Sequence, residues 1–273
     1  MESPYGRLIE TRLRVMTWNV WWRFGPWEDR APAIESVVRS VDPDVLCLQE
    51  VWGLPDGTSF ASSLAAALGY EHVYAQRGDW DGVFFGNAIL SRWPIARSAW
   101  RPLPAPDGQE EHRTVVMAEI DGPRGSFQVF DTHLNWRLDH SAARQAQVRA
   151  ICELVAEMRP RTYPPILCGD MNADPMSDEI RMLVGRAAVP VEKLLFHDCW
   201  EVAGDGSPGF TWSNSNPYAV LDLEPSRRID YVFAGWPKAG GSGHCVSCRV
   251  VGQDAVDGVV GSDHHGVVAE LRY

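Results

Sequence analysis

The stretch Pro164-Pro165-Ile166-Leu167-Cys168-Gly169-Asp170-Met171-Asn172-Ala173-Asp174-Pro175 constrains this chain more than any other. A short apolar run after two prolines, closed by turn residues, reads as a buried strand. Gly169 lets the backbone leave that strand tightly. Asp170 and Asn172 then stand two residues apart where the strand opens into a loop. Rigid strand ends opening into loops are where folds of this kind hold chemistry. An Asx turn that merely closes the strand accounts for the same two side chains, so the rest of the chain must decide.

The same grammar recurs. Residues 13–20 and 45–49 read as strands ending at Asn19 and Glu50, with a helix over 31–41 between them that tolerates Pro32 in its first turn. A second helix over 59–68 is closed by Gly69. Strands are expected over 71–75 and 87–91, then a proline-rich loop over 101–111. Residues 114–120 and 126–131 read as a hairpin that delivers His133 and Asn135. The longest helix spans 141–158, and a short one 178–184. Residues 210–214 begin a further strand and loop, 228–233 carry Asp230, 246–251 form a strand, and Asp263-His264-His265 precede the last strand, 266–271. About ten strands with interleaved helices and hairpins exclude one all-parallel sheet and fit two sheets packed together with helices outside.

Composition narrows the class. The 273 residues, 45% hydrophobic and 22% charged, are those of an ordinary globular chain, taken as one domain over 1–273. Acidic residues outnumber basic ones 36 to 25, a formal charge of −11, which argues against broad duplex binding. No run approaches membrane-spanning length and the first residues lack a signal-type apolar core. Cys47 and Cys168 fall inside apolar runs, so a reducing, cytoplasmic setting is expected. Cys245-x-x-Cys248 has no second pair to complete a zinc site and reads as ordinary strand. No obligate protein partner is inferred.

Asn19, Glu50, His133, Asp170 with Asn172, Asp230, and Asp263 with His264 therefore mark six strand ends. Carboxylate and amide oxygens are the set preferred by a hard cation such as Mg²⁺ or Mn²⁺. Such ions serve phosphoryl chemistry. A single histidine at a strand end is usually solvated or capping. Within this set His133 and His264 are read as functional, and His265 is not.

Thr17-Trp18-Asn19, Leu48-Gln49-Glu50, Gly169-Asp170-Met171-Asn172 and Ser262-Asp263-His264 resemble the four motifs of the endonuclease/exonuclease/phosphatase superfamily. Thr132-His133-Leu134 and Arg228-Ile229-Asp230-Tyr231 match two further landmarks, and all six run in family order. The resemblance implies an α/β fold, a four-layered αββα sandwich of two packed mixed sheets flanked by helices, and Mg²⁺- or Mn²⁺-dependent phosphoester hydrolysis. It implies Glu50 as the principal metal ligand with Asn19 and Asp263 beside the metal. Asp170 would activate water and Asn172 would hold that aspartate or the phosphate. His264, oriented by Asp230, would contact phosphate, and His133 would be a second contact or general acid.

The motif wording is nearest the tyrosyl-DNA phosphodiesterase type. Several members carry an acid two positions after the first-motif asparagine; here Trp21 stands there. The chain has 12 tryptophans, several of them near the motifs. Packing of loops explains any one of them; as a group they suggest a pocket wall, since an indole stacked on a base contributes roughly 1–3 kcal/mol. Trp21, Asn135, Arg137 and Trp212 are taken as substrate-binding candidates, with Arg23 as a further phosphate clamp. Phosphatase and phospholipase C-like relatives share the core, so a nucleic-acid end, a nucleotide and a phospholipid headgroup all remain open as substrates. A non-catalytic binding module is disfavoured because Asp170 and Glu50 are both present.

Overall fold

The computed structural model describes residues 3–106, 110–158 and 161–273. The remaining three positions of the expected 101–111 loop, 107–109, lie outside the described residues. In chain order the elements are β1 (Arg12–Asn19), α1 (Trp27–Val41), β2 (Val45–Gly53), α2 (Phe60–Leu68), β3 (Glu71–Trp80), β4 (Val83–Ser91), β5 (Ile95–Pro102), β6 (Thr114–Gly122) and β7 (Gly125–His133). There follow α3 (Ser141–Glu157), β8 (Ile166–Asp170), α4 (Asp178–Leu183), β9 (Phe196–Asp198), α5 (Cys199–Ala203), β10 (Asp230–Gly235), β11 (Cys245–Val251) and β12 (Gly266–Arg272).

They build two six-stranded sheets, ordered β11-β12-β1-β2-β4-β3 and β5-β6-β7-β8-β10-β9. Each contains a parallel pair, β1 with β2 and β7 with β8. A parallel pair needs a crossover, and α1 and α3 supply the two. The inner faces meet through Val15, Cys47, Ile89, Val116, Val129, Cys168 and Val232. Outside the first sheet, Trp18, Leu46 and Leu48 pack on Ile34 and Val38 of α1 and Leu64 of α2. Outside the second, Phe130, Leu167 and Phe233 pack on Val148, Ile151 and Val155 of α3. The expected αββα sandwich of mixed sheets is the observed fold.

Helix boundaries follow local chemistry. Ser59 and Ser62 form a reciprocal capping box at the start of α2, and Gly69 ends it with φ of 70°. Asp81 and Gly82, both with positive φ, make the two-residue turn that joins β3 to β4. These strands are longer than expected and form one continuous hairpin. Among the described residues there are 12 strands rather than about ten. β5 escaped because it is an edge strand whose side chains are mostly exposed, leaving no alternation to read. β9 and α5 are only three and five residues long. Residues 210–214 form no named strand; Trp212 makes only isolated bridges, to Arg227 and His264. All six cysteines are free and buried. Among the described residues no helix is long and apolar enough to cross a membrane.

Polar side chains also lie inside the sandwich, Thr17, Gln49 and Asp131 among them. Asp131 on β7 is fully buried; its Oδ1 accepts from Gln49 Nε2 at 2.6 Å, while its Oδ2 and the Gln49 Oε1 have no partner. Burial pushes the Asp131 carboxyl well above its ordinary value. A carboxyl raised on folding binds its proton more weakly in the unfolded chain, so stability falls as pH rises from the unfolded pKa through the folded one. Asp131→Asn supplies a neutral amide in the same space. It is expected to stabilise the protein by about 1–3 kcal/mol at pH 8, with the gain shrinking toward pH 4. Thermal melts of both proteins at the two pH values check this, and a lower melting point for the variant at pH 8 would contradict it.

Candidate active site

Register brings the chemistry together. In the second sheet Asp170 pairs with His133 on the parallel side and with Asp230 on the antiparallel side. Three candidate side chains therefore sit abreast at one sheet end. From the other sheet, Asn19 ends β1, and Glu50 stands at a register shift of β2 between Leu48 and Val51. Glu50 has φ of 55° and Asn172 of 49°. A bulge with a left-handed residue re-aims its side chain, and such strain concentrates at functional sites.

Asn19 joins the sheets. Its Nδ2 donates to Glu50 Oε1 at 3.2 Å and to Asp170 Oδ2 at 3.0 Å, and its Oδ1 accepts from the Trp21 N–H at 3.0 Å. The Asx turn is also present: the Asn172 N–H donates to Asp170 Oδ1 at 2.9 Å. That turn leaves Oδ2 facing His133 Nε2 at 3.3 Å and His264 Nε2 at 3.7 Å. The His264 Nδ1 meets Asp230 Oδ2 at 2.9 Å. Asp263 precedes His264 and is 7% exposed, and Ser262 Oγ donates to the Asn19 carbonyl at 2.7 Å. Glu50 and Asp170 thus share one donor on one face of the molecule.

Burial alone would raise the Asp170 carboxyl, but the His133 and His264 imidazoles and the Asn19 amide more than offset it, and it lies below its ordinary value. Burial likewise opposes a charged His264, yet Asp230, Asp170 and Asp263 outweigh it and raise that imidazole well above its ordinary value. Burial, reinforced by the Arg113 guanidinium, holds His133 well below its own. Burial raises Glu50 and brings Asp263 up to about 7.

These groups floor a cleft of about 650 Å³. Other clefts, 510 Å³ beside Trp236 and 620 Å³ beside Pro104, hold none of them. Trp21, Phe24, Trp80, Phe85, Trp136 and Trp212 form aromatic walls, and Asp222, Glu224 and Arg227 lie farther along the lining. Arg30, 1% exposed, fixes the Trp21 loop by donating to the carbonyls of Val20, Trp21, Trp22, Phe24 and Gly261. Trp212 packs 5.0 Å from the His264 ring.

Of the expected site residues, Asn19, Glu50, His133, Asp170, Asn172, Asp230, Asp263 and His264 converge, and Trp21 and Trp212 line the cleft. Asn135 does not reach it: its Nδ2 is spent on Glu111 Oε2 at 2.7 Å and its Oδ1 on the Arg137 N–H. The exposed Arg137 lies over the Trp136 ring, 5.3 Å from its centroid, and is not in the cleft lining. Arg23 is stacked between Trp27 and Trp52, at 4.5 and 4.3 Å. Sequence reasoning missed Arg113, Arg227, Trp80 and Phe85. Arg113 stands immediately before β6, a strand-end position like those that were found, and the same rule applied there would have named it.

Asp170, Asp230 and His264 offer ligand atoms within 4.8 Å of one another. The His264 Nδ1 is already engaged by Asp230, so this group reads as a hydrogen-bonded carboxylate–imidazole pair beside Asp170. Glu50 and Asp263, the one half-buried and the other buried, suit a hard cation better: both carboxyls are raised by desolvation, a condition that an adjacent positive charge relieves.

A family model described as Endonuclease/Exonuclease/phosphatase family matches residues 16–264. The Escherichia coli K12 protein YbhP is 32% identical over 174 residues, 58% of this chain and 66% of its own length. The inositol phosphosphingolipids phospholipase C of Schizosaccharomyces pombe is 24% identical over 257 residues, 81% of this chain and 59% of its own. This chain thus spans less than two thirds of either relative. The crystal structure of D. rerio TDP2 complexed with single strand DNA product superposes with a TM-score of 0.74 at 21% identity, over 97% of this chain and 100% of that one, a likeness of fold.

Proposed function

Since this chain belongs to the Endonuclease/Exonuclease/phosphatase family, we propose that it hydrolyses a phosphodiester with a water activated by Asp170. The observation that carries this reading is the Asp170 carboxylate, set among two imidazoles and two amides on the floor of an aromatic cleft. Its Oδ2 is the base. His264, kept cationic by Asp230, donates from Nε2 to a phosphoryl oxygen. Asn172 and Asn19 hold the carboxylate in place.

The cation is proposed to be Mg²⁺ or Mn²⁺, held by Glu50 and Asp263 with Asn19 beside them. When bound, it polarises a P–O bond and neutralises charge on the phosphoryl oxygens. Removing it with EDTA is expected to lower turnover of a chromogenic phosphodiester by more than about 100-fold, with recovery on added Mg²⁺ or Mn²⁺. Full activity in EDTA would end this reading.

For the substrate, one observation favours a phospholipid headgroup over a nucleic-acid end or free nucleotide. Trp80 and Trp136, 61% and 60% exposed, line the cleft, and Leu138, Leu221 and Leu223 beside lining segments are 61%, 73% and 90% exposed. Leu223 is held at φ of 59°, an unfavourable conformation for leucine. Exposed aliphatic groups suit acyl chains better than stacked bases. The neighbouring Asp79, Asp81 and Asp222 oppose a polyanion. Assaying sphingomyelin in neutral vesicles, 5′-adducted single-stranded DNA, abasic duplex and nucleotides side by side separates these classes. Faster cleavage of DNA than of the lipid would reject the headgroup assignment.

A further inference from the structure

Arg113 lies outside every motif, yet it is built into the site. Its side chain is 11% exposed, its Nη1 is 2.9 Å from His133 Nδ1, and its Nε is 3.7 Å from Glu111 Oε1. Glu111 in turn accepts from Asn135 Nδ2 at 2.7 Å and from Gln147 Nε2 at 3.2 Å. A buried polar chain thus runs from α3 through Glu111 and Arg113 to His133, and from His133 Nε2 to Asp170 Oδ2 at 3.3 Å. The notable fact is the direction of its hydrogen bonds. A guanidinium has five donors, no acceptor, and keeps its charge. The His133 Nδ1 facing it must therefore present a lone pair. The one proton of the neutral ring is left on Nε2, where the Asp170 carboxylate accepts it. The Asn172 amide nitrogen lies nearer, 2.9 Å from Nε2, and is itself a donor; with the proton on Nε2 it makes no hydrogen bond to the ring, and one of its hydrogens goes to the Leu134 carbonyl at 3.1 Å.

We propose that Arg113 is a positioning residue that locks His133 as the Nε2–H tautomer, making it a fixed hydrogen-bond donor to the water-activating carboxylate. This rests on the reading of Asp170 as the base. Two imidazoles then stand in one site in opposite states. His264 is tied to a carboxylate through Nδ1, 2.9 Å from Asp230 Oδ2, and carries a proton there. His133 is tied to a guanidinium through Nδ1 and is neutral. Environments that push two like groups apart assign them separate tasks. His133 therefore orients Asp170, and proton donation to phosphate falls to His264. The same chain explains why Asn135 faces away from substrate: it holds Glu111, which holds Arg113.

The test joins nitrogen NMR of the histidine rings to kinetics of Arg113→Met and Arg113→Lys. In the wild type, the His133 ring, assigned with His133→Gln, should show a bare Nδ1 and a protonated Nε2. Arg113→Met should mix the tautomers and lower kcat on bis(p-nitrophenyl) phosphate about 10–100-fold, with KM within about twofold. Arg113→Lys, or guanidinium ion added to Arg113→Met, should restore part of kcat. A wild-type His133 protonated on Nδ1 overturns the proposal whatever the activity. So does an unchanged kcat in a folded Arg113→Met, and so does a raised KM at constant kcat, which would make Arg113 a substrate contact. If no phosphoester is cleaved at all, the base assignment fails, while the NMR still reads the tautomer.

Discussion

Asp170→Asn is expected to lower kcat on a chromogenic phosphodiester about 10²–10⁴-fold, the range for losing a positioned base, and to leave KM nearly unchanged. The substitution keeps the shape and can still accept the Asn172 N–H that Oδ1 takes at 2.9 Å. It removes the negative charge and the proton acceptor. It also sets an amide where Asn19 Nδ2 and His133 Nε2 now meet an oxygen, at 3.0 and 3.3 Å. His264 loses one of the carboxylates that raise it, so the variant's residual activity should decline at lower pH than the wild type's as the imidazolium deprotonates. Glu50→Gln is the discriminating partner. If Glu50 is a cation ligand, its variant recovers activity in excess Mn²⁺, whereas Asp170→Asn does not. Steady-state kinetics at several Mn²⁺ concentrations, with melting curves to show both variants folded, decide it. An Asp170→Asn enzyme within tenfold of the wild type in kcat would mean that another group activates the water.

What could be read from sequence divides along physical lines. Asn19, Glu50, Asp170 and Asp230 were legible because each stands at one end of a short apolar run, Asp230 at its start, and a buried strand announces itself by composition. The sandwich was legible because helices interleave early while hairpins occur in both halves. Exposed edge strands gave no such signal, so β5 was missed, and β9 was too short to show a period. The cleft walls were harder. Trp80 reaches the site from the tip of a hairpin far from any motif, and only the register of β3 on β4 carries it there. Asn135 and Arg137 misled for the opposite reason. They follow His133 closely in sequence and flank Trp136, which does line the cleft, but their own side chains serve Glu111 and the Trp136 ring. Nearness along the chain predicted position only where a strand kept the backbone straight.

Gly169→Ala should be the most damaging single substitution in the scaffold. Gly169 has φ of +142°, a region closed to side chains. A Cβ there would lie 1.9 Å from the Thr132 carbonyl oxygen and 2.9 Å from its carbon. Both are backbone atoms of the parallel pair that places Thr132 against Gly169 and His133 against Asp170, so no rotamer change relieves the contact. Strain and overlap together exceed the 1–3 kcal/mol of an ordinary backbone outlier, and about 4 kcal/mol or more is expected. That is a large part of the roughly 5–15 kcal/mol that holds a domain together. The variant should be insoluble or melt more than about 10 °C below the wild type. Gly125→Ala is the control. Its φ is also positive, +116°, but a Cβ there meets nothing within 4 Å, so only the conformational term of about 1–3 kcal/mol applies. Equal melting points for the two variants would show that the close approach of β8 to β7 is not what fixes Asp170 beside His133. The larger loss at Gly169 would tie the geometry of the base to one residue with no side chain, because only there can β8 come near enough to Thr132 for the next residue to stand against an imidazole.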